Sequence, residues 1–395
     1  MKNLCFVLFA FGMIVSSCSN RGQKNEEGSV LELKLSMDRV LDEVKLSAIA
    51  SSVKCIPLET NDSVLIGPIA RVIQSGEFMY VADRNALYKF ANNGAVIASL
   101  QKSGPGADEY TAISDFQIAP DGTIWLLSQS NRTLYRYGMD NVLKEKISLD
   151  CWVSNICLVR PDKMLLYVGN EMDGGQGKQV LSLNLTTQKV ADGYLPIDAK
   201  KGKYLHIRSR NYFSGGSQSL PGYFFQAFND TVYKVSSDGV LSPFLRLNLA
   251  DANIPASFFD VEYSDVMDFF QNLSKHPYAY GTNLFAELES CYLVSFYRSG
   301  ECFFATLPKV KGESESVFKA IKEDSYLLGY TFDLNTSPFF VQKDNRLIIP
   351  LAVPELLTYI EDTFGEEEAA KFKTQFHIVS EDPNPMLLCV ELKAP

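Results

Sequence analysis

Short stretches in which apolar and polar residues alternate recur along the chain, and each runs into a polar turn. The clearest copies occupy residues 85–90, 132–137 and 230–235, and a weaker copy occupies residues 180–184. A two-residue period is typical of half-buried β-strands, and the Asn, Asp and Gly residues that follow permit the positive φ of a tight turn. The copies recur at intervals of roughly 50 residues, which is the length of a β-propeller blade.

Other strand-like stretches precede these copies, at residues 78–83, 123–127 and 164–168. A four-stranded sheet cannot bury both of its faces alone, whereas sheets arranged in a ring bury one another and leave only short edges exposed. We therefore predict an all-β fold over residues 35–395, a six-bladed β-propeller in which seven blades are possible. A two-sheet β-sandwich is the structural alternative.

Two stretches break this rhythm with helical periodicity. Residues 255–280 carry aromatic and aliphatic side chains three and four positions apart, and residues 354–376 open with proline and are rich in Glu and Ala. A period near 3.6 residues and a proline in the first turn are both typical of helices. We predict that both stretches are short helical insertions between strands.

The N-terminal residues have the features of an export signal. A short positive start precedes an apolar run at residues 4–15, which is too short to cross a bilayer as a helix. Small residues then precede Cys18, an order that resembles the bacterial lipobox, in which the cysteine is diacylated. We predict a lipoprotein signal peptide at residues 1–17, lipidation of Cys18 and a flexible polar tether at residues 18–34. An ordinary cleaved signal with an incidental cysteine is the alternative.

Composition narrows the classes of function. Hydrophobic residues make up 46% of the chain, enough for a substantial core, so wholesale disorder is excluded. The formal net charge of −10, with no basic stripe, disfavours nucleic acid as a partner. Three histidines and the lack of any CxxC pair give little material for a zinc site or for a Ser-His-Asp triad.

The cysteines of the mature chain are expected to be buried thiols. The segment 297–302 predicts a β-hairpin with Ser-Gly at its tip. That register places Cys302 opposite Tyr297 and far from Cys291, which argues against a disulfide between the two cysteines.

Four short motifs lie at residues 56–60 (Ile-Pro-Leu-Glu-Thr), 103–110 (Ser-Gly-Pro-Gly-Ala-Asp-Glu-Tyr), 229–233 (Asn-Asp-Thr-Val-Tyr) and 384–387 (Asn-Pro-Met-Leu). In order and spacing they resemble the six-bladed β-propeller lipoproteins common in Bacteroides and its relatives, which are distantly similar to NHL-repeat propellers. The resemblance covers nearly all of the mature chain and implies a propeller on the cell envelope, without implying a biochemical activity. The family's loop usually reads Gly-Pro-Gly-Glu-Tyr, whereas two residues intervene here, so no role is carried over to that loop.

Oxygen-bearing side chains near strand ends are candidates for a cation site on the propeller axis. In six-bladed gluconolactonase-like hydrolases, carboxylates and an Asn hold a divalent cation, and the candidates here are Asp83, Asp115, Asn155 and Glu171. Oxygen ligands suit Ca²⁺ or Mg²⁺. The alternative interpretation is that these residues form turns by bonding their own backbone. No cofactor is predicted, and Ca²⁺ or Mg²⁺ remains a possibility.

Other candidates concern binding. The loop at residues 104–106 lacks the Lys of a P-loop and is interpreted as a turn between blades. His206 lies beside two arginines and is either part of a binding face or simply solvated. Tyr212 and Tyr223 bracket a Ser-Gly-rich loop. Their rings suit stacking on a sugar or a protein partner, and packing between blades is the alternative.

These features together predict an envelope-anchored lipoprotein whose propeller is a non-catalytic binding or scaffolding module for a protein or glycan partner. The lipid anchor makes the membrane itself a partner. An outer-membrane location is favoured, and the side of the membrane that the domain faces stays open. The alternative function is a divalent-cation-dependent hydrolase or lyase with its site on the propeller axis.

Overall fold

The computed structural model describes residues 30–169, 177–202, 204, 212–215, 222–288, 291–310, 315–342 and 346–393. Its first strands are β1 (Leu31–Lys34), β2 (Val40–Lys45) and β3 (Ala50–Pro57). Blade 1 then consists of β4 (Arg71–Ser75), β5 (Phe78–Ala82), β6 (Leu87–Ala91) and β7 (Val96–Leu100). Blade 2 consists of β8 (Asp115–Ile118), β9 (Ile124–Ser128), β10 (Thr133–Tyr137) and β11 (Leu143–Ser148). Blade 3 consists of β12 (Asn155–Arg160), β13 (Lys163–Tyr167), β14 (Lys178–Asn184) and β15 (Lys189–Pro196).

The remaining strands form blades 4, 5 and 6. Blade 4 contains β16 (Phe213–Ser214), β17 (Gly222–Phe224), β18 (Thr231–Val235) and β19 (Leu241–Asn248). Blade 5 contains β20 (Ala279–Glu287), β21 (Cys291–Arg298), β22 (Glu301–Pro308), β23 (Ser316–Lys322) and the short β24 (Thr331–Asp333). Blade 6 contains β25 (Phe340–Val341), β26 (Arg346–Leu351) and β27 (Met386–Leu392), and β3 is its fourth strand.

The six sheets close into a ring. The innermost strand of each blade contacts the innermost strand of the next, and β25 contacts β4 to complete the circle. A hydrophobic cluster fills each of the six interfaces between neighbouring blades. The predicted six-bladed β-propeller is therefore confirmed, and the alternatives of seven blades and of a sandwich are wrong. The repeated alternating segments are the third strands of blades 1 to 4, namely β6, β10, β14 and β18.

The N-terminal segment runs along three successive blades before blade 1 begins. β1 pairs in parallel with β19 and β2 in parallel with β23, while β3 pairs antiparallel with β27. The folded part of the described chain thus begins at Leu31, upstream of the predicted boundary at residue 35. The reason is that the backbone groups of β1 form hydrogen bonds with the outer strand of blade 4. In a flexible tether the same groups would bond to water.

Helices occupy both predicted insertions. In the first, a 3-10 helix (Ala256–Asp260) precedes α3 (Val266–Ser274), and in the second α4 (Val353–Phe364) precedes α5 (Glu366–Gln375). The side chain of Asp265 caps α3 by accepting a 2.8 Å hydrogen bond from the Asp268 N–H. Shorter helices that the pattern did not predict are α1 (Leu46–Ile49), α2 (Ala199–Gly202) and a 3-10 turn (Ala250–Ala252). No helix in the described part of the chain is long and apolar enough to span a membrane.

The predicted hairpin is confirmed. Tyr297 pairs with Cys302, and Ser299 and Gly300 form the tip with φ of 52° and 85°. Cys291 lies opposite Pro308 at the far end of the hairpin, and no described cysteine is in a disulfide. Burial raises the pKa of the Cys302 thiol to about 12, so this side chain stays a neutral core residue.

Asn384 joins the end of the chain to the segment that precedes blade 1. This residue is 4% exposed. Its Nδ2 donates to the carbonyls of Glu59 and Val64 at 2.7 and 2.8 Å, and its Oδ1 accepts from the Ile66 N–H at 2.8 Å. The motif at residues 56–60 and the Asn-Pro motif therefore meet at the seam between blades 6 and 1.

Replacement of Asn384 by alanine should destabilise this seam. The change leaves two carbonyls and one N–H without their partner, so we expect the free energy of unfolding to fall by about 3 kcal/mol. Urea unfolding of the full chain measures this free energy. Asn93→Ala is the control, since exposed Asn93 accepts only a local bond from the Ala95 N–H, and we expect a loss of less than about 1 kcal/mol. Equal losses in the two variants would contradict the role given to Asn384.

Candidate functional site

One face of the ring carries an open cavity of about 1590 Å³, which we call the funnel. Two kinds of loop line it: those that join the outer strand of one blade to the inner strand of the next, and those that join the second and third strands of a blade. The loops between first and second strands and between third and fourth strands lie on the opposite face. A concave site of this kind is the usual place for a ligand on a rigid scaffold.

A polar network lies at the start of three neighbouring inner strands, and its Asn155 lines the funnel. Arg71 begins β4, Asp115 begins β8 and Asn155 begins β12. The Arg71 guanidinium forms an ion pair with the Asp115 carboxylate, whose side chain is 0% exposed. The same carboxylate accepts a 2.8 Å bond from the Ile156 N–H and a 3.3 Å bond from the Asn155 Nδ2. This network ties blades 1, 2 and 3 together at the axis.

The charge of Asp115 is balanced within the protein. Burial raises the pKa of this carboxyl, and the Arg71 guanidinium together with the N–H groups of Ile156 and Phe116 opposes the increase. Below this layer the axis narrows to a cavity of about 90 Å³, lined largely by the inner strands. Gln342 of blade 6 spans it toward β4, accepting from the Gln74 N–H at 2.8 Å and donating to the Val72 carbonyl at 3.1 Å.

Of the three predicted cation ligands that lie among the described residues, the structure brings two together. Asp115 and Asn155 meet on the axis, but the Asn155 amide donates to Asp115, which is already paired with an arginine. Asp83 lies in the turn after β5, where its carboxylate accepts from the N–H groups of Gly67, Asn85 and Ala86, as the turn interpretation proposed. Glu171 lies outside the described residues. The described chain contains no group of three acidic, Cys or His side chains suited to a metal, and the axial donors do not fit a cation.

The Gly-Pro-Gly loop is a turn between blades 1 and 2, as predicted. Its Gly106 N–H donates to the Glu109 carboxylate at 2.8 Å, so the loop's own side chain occupies the place that a phosphate would take. A Cβ at Gly104 would lie 2.0 Å from the same carboxylate, so the end of the Glu109 side chain would have to move to admit one. His206 and its neighbouring arginines lie outside the described residues.

The two predicted binding tyrosines lie in different places. Tyr212 lines the funnel wall, where its ring centroid is 4.1 Å from that of Tyr167. Tyr223 is 1% exposed and its hydroxyl donates to the Glu287 carboxylate of blade 5. Tyr223 therefore packs between blades, which was the alternative to a binding role, and only Tyr212 borders the cavity.

Trp152 is a wall residue that the sequence interpretation missed. The linker between blades 2 and 3 is extended, so Cys151 and Val153 point into the core while the Trp152 ring turns outward and is 42% exposed. The Arg132 guanidinium lies 5.5 Å from the centre of this ring. The signal that could have identified Trp152 is a tryptophan between two apolar residues outside any strand. In an extended segment neighbouring side chains point to opposite sides, so burial of the two apolar neighbours turns the tryptophan away from the core.

The fold and the funnel define a class: a six-bladed β-propeller with a closed polar axis and a ligand-sized cavity on one face. Within that class, the chain belongs to the family described as Domain of unknown function (DUF4934), whose model matches residues 29–391. No curated protein matches it in sequence.

Solved structures share the fold. A Bacteroides fragilis protein that is described as exported superposes with a TM-score of 0.65 at 16% identity, covering 92% of this chain and all of its own. A member of the DUF4221 family from Bacteroides vulgatus gives a TM-score of 0.46 at 10% identity, covering 87% of this chain and 97% of that one. Virginiamycin B lyase from Staphylococcus aureus gives a TM-score of 0.42 at 11% identity, covering 75% of this chain and 81% of that one. The last two likenesses are too loose to support an argument about function.

Replacement of Arg71 by methionine should lower the free energy of unfolding, because it leaves the buried Asp115 carboxylate without its ion-pair partner. Removing the guanidinium raises the pKa of Asp115 further, so its ionisation opposes folding more strongly. A carboxyl pKa that is raised in the folded state gives stability that is present at low pH and lost as pH rises through that pKa. We therefore expect Arg71→Met to lower the unfolding free energy by about 3 kcal/mol at pH 8, and by less at pH 5.

Urea unfolding at the two pH values measures this effect. Arg160→Met is the control, because the Arg160–Asp162 pair is about half exposed and we expect its loss to cost less than about 1 kcal/mol at either pH. A loss for Arg71→Met that is the same at both pH values would contradict the expectation that Arg71 favours the ionised form of Asp115 between pH 5 and pH 8.

Proposed function

We propose that the protein is a non-catalytic binding module of the cell envelope, and that its funnel binds a glycan. The single observation that carries this proposal is Trp152, a large aromatic side chain held 42% exposed on the wall of the cavity. Exposed tryptophan offers a flat apolar face to the C–H side of a sugar ring, and its loss from solvent on binding is favourable.

Polar groups near the tryptophan suit the hydroxyls of a sugar. Gln129, Ser130 and Ser154 line the same part of the funnel. The loop that carries the first two is held firmly, since the Gln129 N–H donates to the Ser114 Oγ at 3.0 Å. A rigid wall with one aromatic face and several hydrogen-bonding side chains loses little entropy when a ligand binds.

The polar network on the axis supports binding rather than acid–base or cation-assisted chemistry. The Asp115 carboxylate accepts bonds from Arg71, Ile156 and Asn155, so it is not available to a substrate proton or to a metal. The proposed hydrolase or lyase alternative needs such a group on the axis, and the axial residues give it no support.

The envelope location is part of the same proposal. The apolar run at residues 4–15 and the small residues before Cys18 favour export and lipid anchoring, with the outer membrane as the favoured site. The Bacteroides fragilis protein that shares the fold is described as exported. A propeller on a flexible tether would present the funnel to glycans of the envelope or its surroundings.

Replacement of Trp152 by alanine tests the proposal. Purified full-length protein in detergent micelles is applied to an array of bacterial and host oligosaccharides, and the affinity of each bound sugar is then measured by calorimetry. We expect Trp152→Ala to weaken binding by about 2 kcal/mol, which is roughly thirtyfold, because the stacking face is lost. Met139→Ala is the control: Met139 is 71% exposed in the loop between β10 and β11, on the opposite face.

Two outcomes would overturn the glycan proposal. In one, no oligosaccharide binds, while crosslinking of the native protein in cell envelopes captures a stoichiometric protein partner. In the other, sugars bind but Trp152→Ala and Met139→Ala bind them as tightly as the unaltered protein, which would place the site elsewhere.

A further inference from the structure

We propose that the funnel selects a glycan that carries an isolated negative charge, a carboxylate or sulfate on one sugar, and that Arg84 and Arg132 bind this group beside Trp152. The inference rests on the proposed glycan-binding function and adds the chemical class of the ligand. Its basis is the position and the pairing of these two arginines.

Arg84 is held at the funnel rim by its backbone while its side chain stays in solvent. It lies in the loop between β5 and β6, and its carbonyl accepts a 2.7 Å bond from the Ile113 N–H of the next inter-blade linker. The Arg84 side chain is exposed and lines the funnel. The bond to Ile113 fixes the position of the Arg84 backbone, and the Arg84 guanidinium remains accessible to a ligand.

Arg132 is fixed in a similar way. Its backbone has a φ of +49°, and it donates to the Gln129 carbonyl at 3.0 Å and accepts from the Leu149 N–H at 2.7 Å. Its guanidinium lies over the Trp152 ring. A stacked guanidinium keeps its N–H groups directed outward in its own plane, which leaves them available to an anion at the edge of the indole.

Neither arginine has a carboxylate partner among the described residues. Four of the seven other described arginines do: Arg71, Arg136, Arg160 and Arg246 each form an ion pair with an Asp or a Glu, whereas Arg39, Arg298 and Arg346 do not. In a protein with a formal net charge of −10, acidic partners are abundant. Arg132 at the exposed Trp152 ring and Arg84 on the funnel lining of the neighbouring blade are thus exposed cations that a ligand could reach.

Carboxylates enter the same funnel from a different blade. Glu355, in the first turn of α4, and Asp382, before β27, are both exposed and line the cavity from blade 6. Neither carboxylate forms an ion pair with Arg84 or Arg132 among the described residues. A polyanion would meet strong repulsion from blade 6 and from the net charge, whereas one charged sugar at the Trp152 side would meet less.

The ligand class follows from the geometry of the guanidinium group. Its planar fork of N–H donors matches the two oxygens of a carboxylate or a sulfate, and charge-assisted bonds of this kind are stronger than those to hydroxyls. The tryptophan stacks on the ring, and the arginines bind the anionic substituent of the same or the adjacent sugar.

The test compares sugars that differ only in charge. Full-length protein in micelles is titrated with an oligosaccharide that bears one galacturonic acid among otherwise neutral sugars, and with the same compound after reduction of that carboxylate to the alcohol. A monosulfated oligosaccharide and its desulfated form make a second pair. The protein variants are Arg84→Gln, Arg132→Gln and Trp152→Ala, with Arg160→Gln as the control, because Arg160 is the last residue of β12, where the strand ends on the opposite face.

We expect at least one charged sugar to bind about tenfold or more tightly than its uncharged form, and the difference to shrink as salt is raised. Arg84→Gln and Arg132→Gln should remove that difference by weakening the charged form much more than the uncharged form, while Trp152→Ala should weaken both forms. The pair that shows the effect identifies the anion as carboxylate or sulfate.

The outcomes separate this inference from the proposed function. If charged and uncharged sugars bind equally and Trp152→Ala weakens both, the funnel binds glycans but the selection for charge is wrong. If the preference for charge exists and neither arginine variant changes it, the assignment to Arg84 and Arg132 is wrong. If no sugar of either pair binds, the inference is wrong. If the glycan array also shows no binding, the proposed function is wrong as well.

Discussion

Closure of the ring is the constraint on which the rest of the structure depends. Blade 6 is completed by β3 from the start of the described chain, so a single sheet joins segments more than three hundred positions apart. Asn384 then fixes the next segment in the buried seam by bonding Glu59, Val64 and Ile66. Only when this contact forms do all six blade interfaces exist at once, and only then does each sheet bury both of its faces.

The closed ring decides what the axis can do. Six inner strands converge, and their polar groups must find partners there because little water is available. Arg71, Asp115 and Asn155 meet this need between blades 1, 2 and 3, while Gln342 meets it between blades 6 and 1. The same bonds that hold the strands together occupy the donors and acceptors that chemistry on the axis would require. The proposed function therefore places the ligand in the funnel and not on the axis.

The sequence predicted the parts of this fold that repeat. Alternation identified β6, β10 and β18 because each is a strand with one partly polar face, and Pro354 marked the helical insertion. The site was predicted less well, since its residues depend on three-dimensional context. Asp115 carries no local sign that Arg71 lies beside it, 44 positions away in the chain. Tyr212 and Tyr223 look alike in sequence, yet one lines the funnel and the other packs between blades.

The rim residues differ from the rest of the structure in a way that stability does not explain. Trp125, the other tryptophan of the chain, is buried within blade 2, whereas Trp152 is exposed although its neighbours Cys151 and Val153 are in the core. Loops can expose such a side chain because the ring beneath them is already closed and rigid. An exposed tryptophan beside the unpaired Arg132 adds little to the folded state by itself. Its position on the funnel wall is what a module that binds a ligand in this cavity requires.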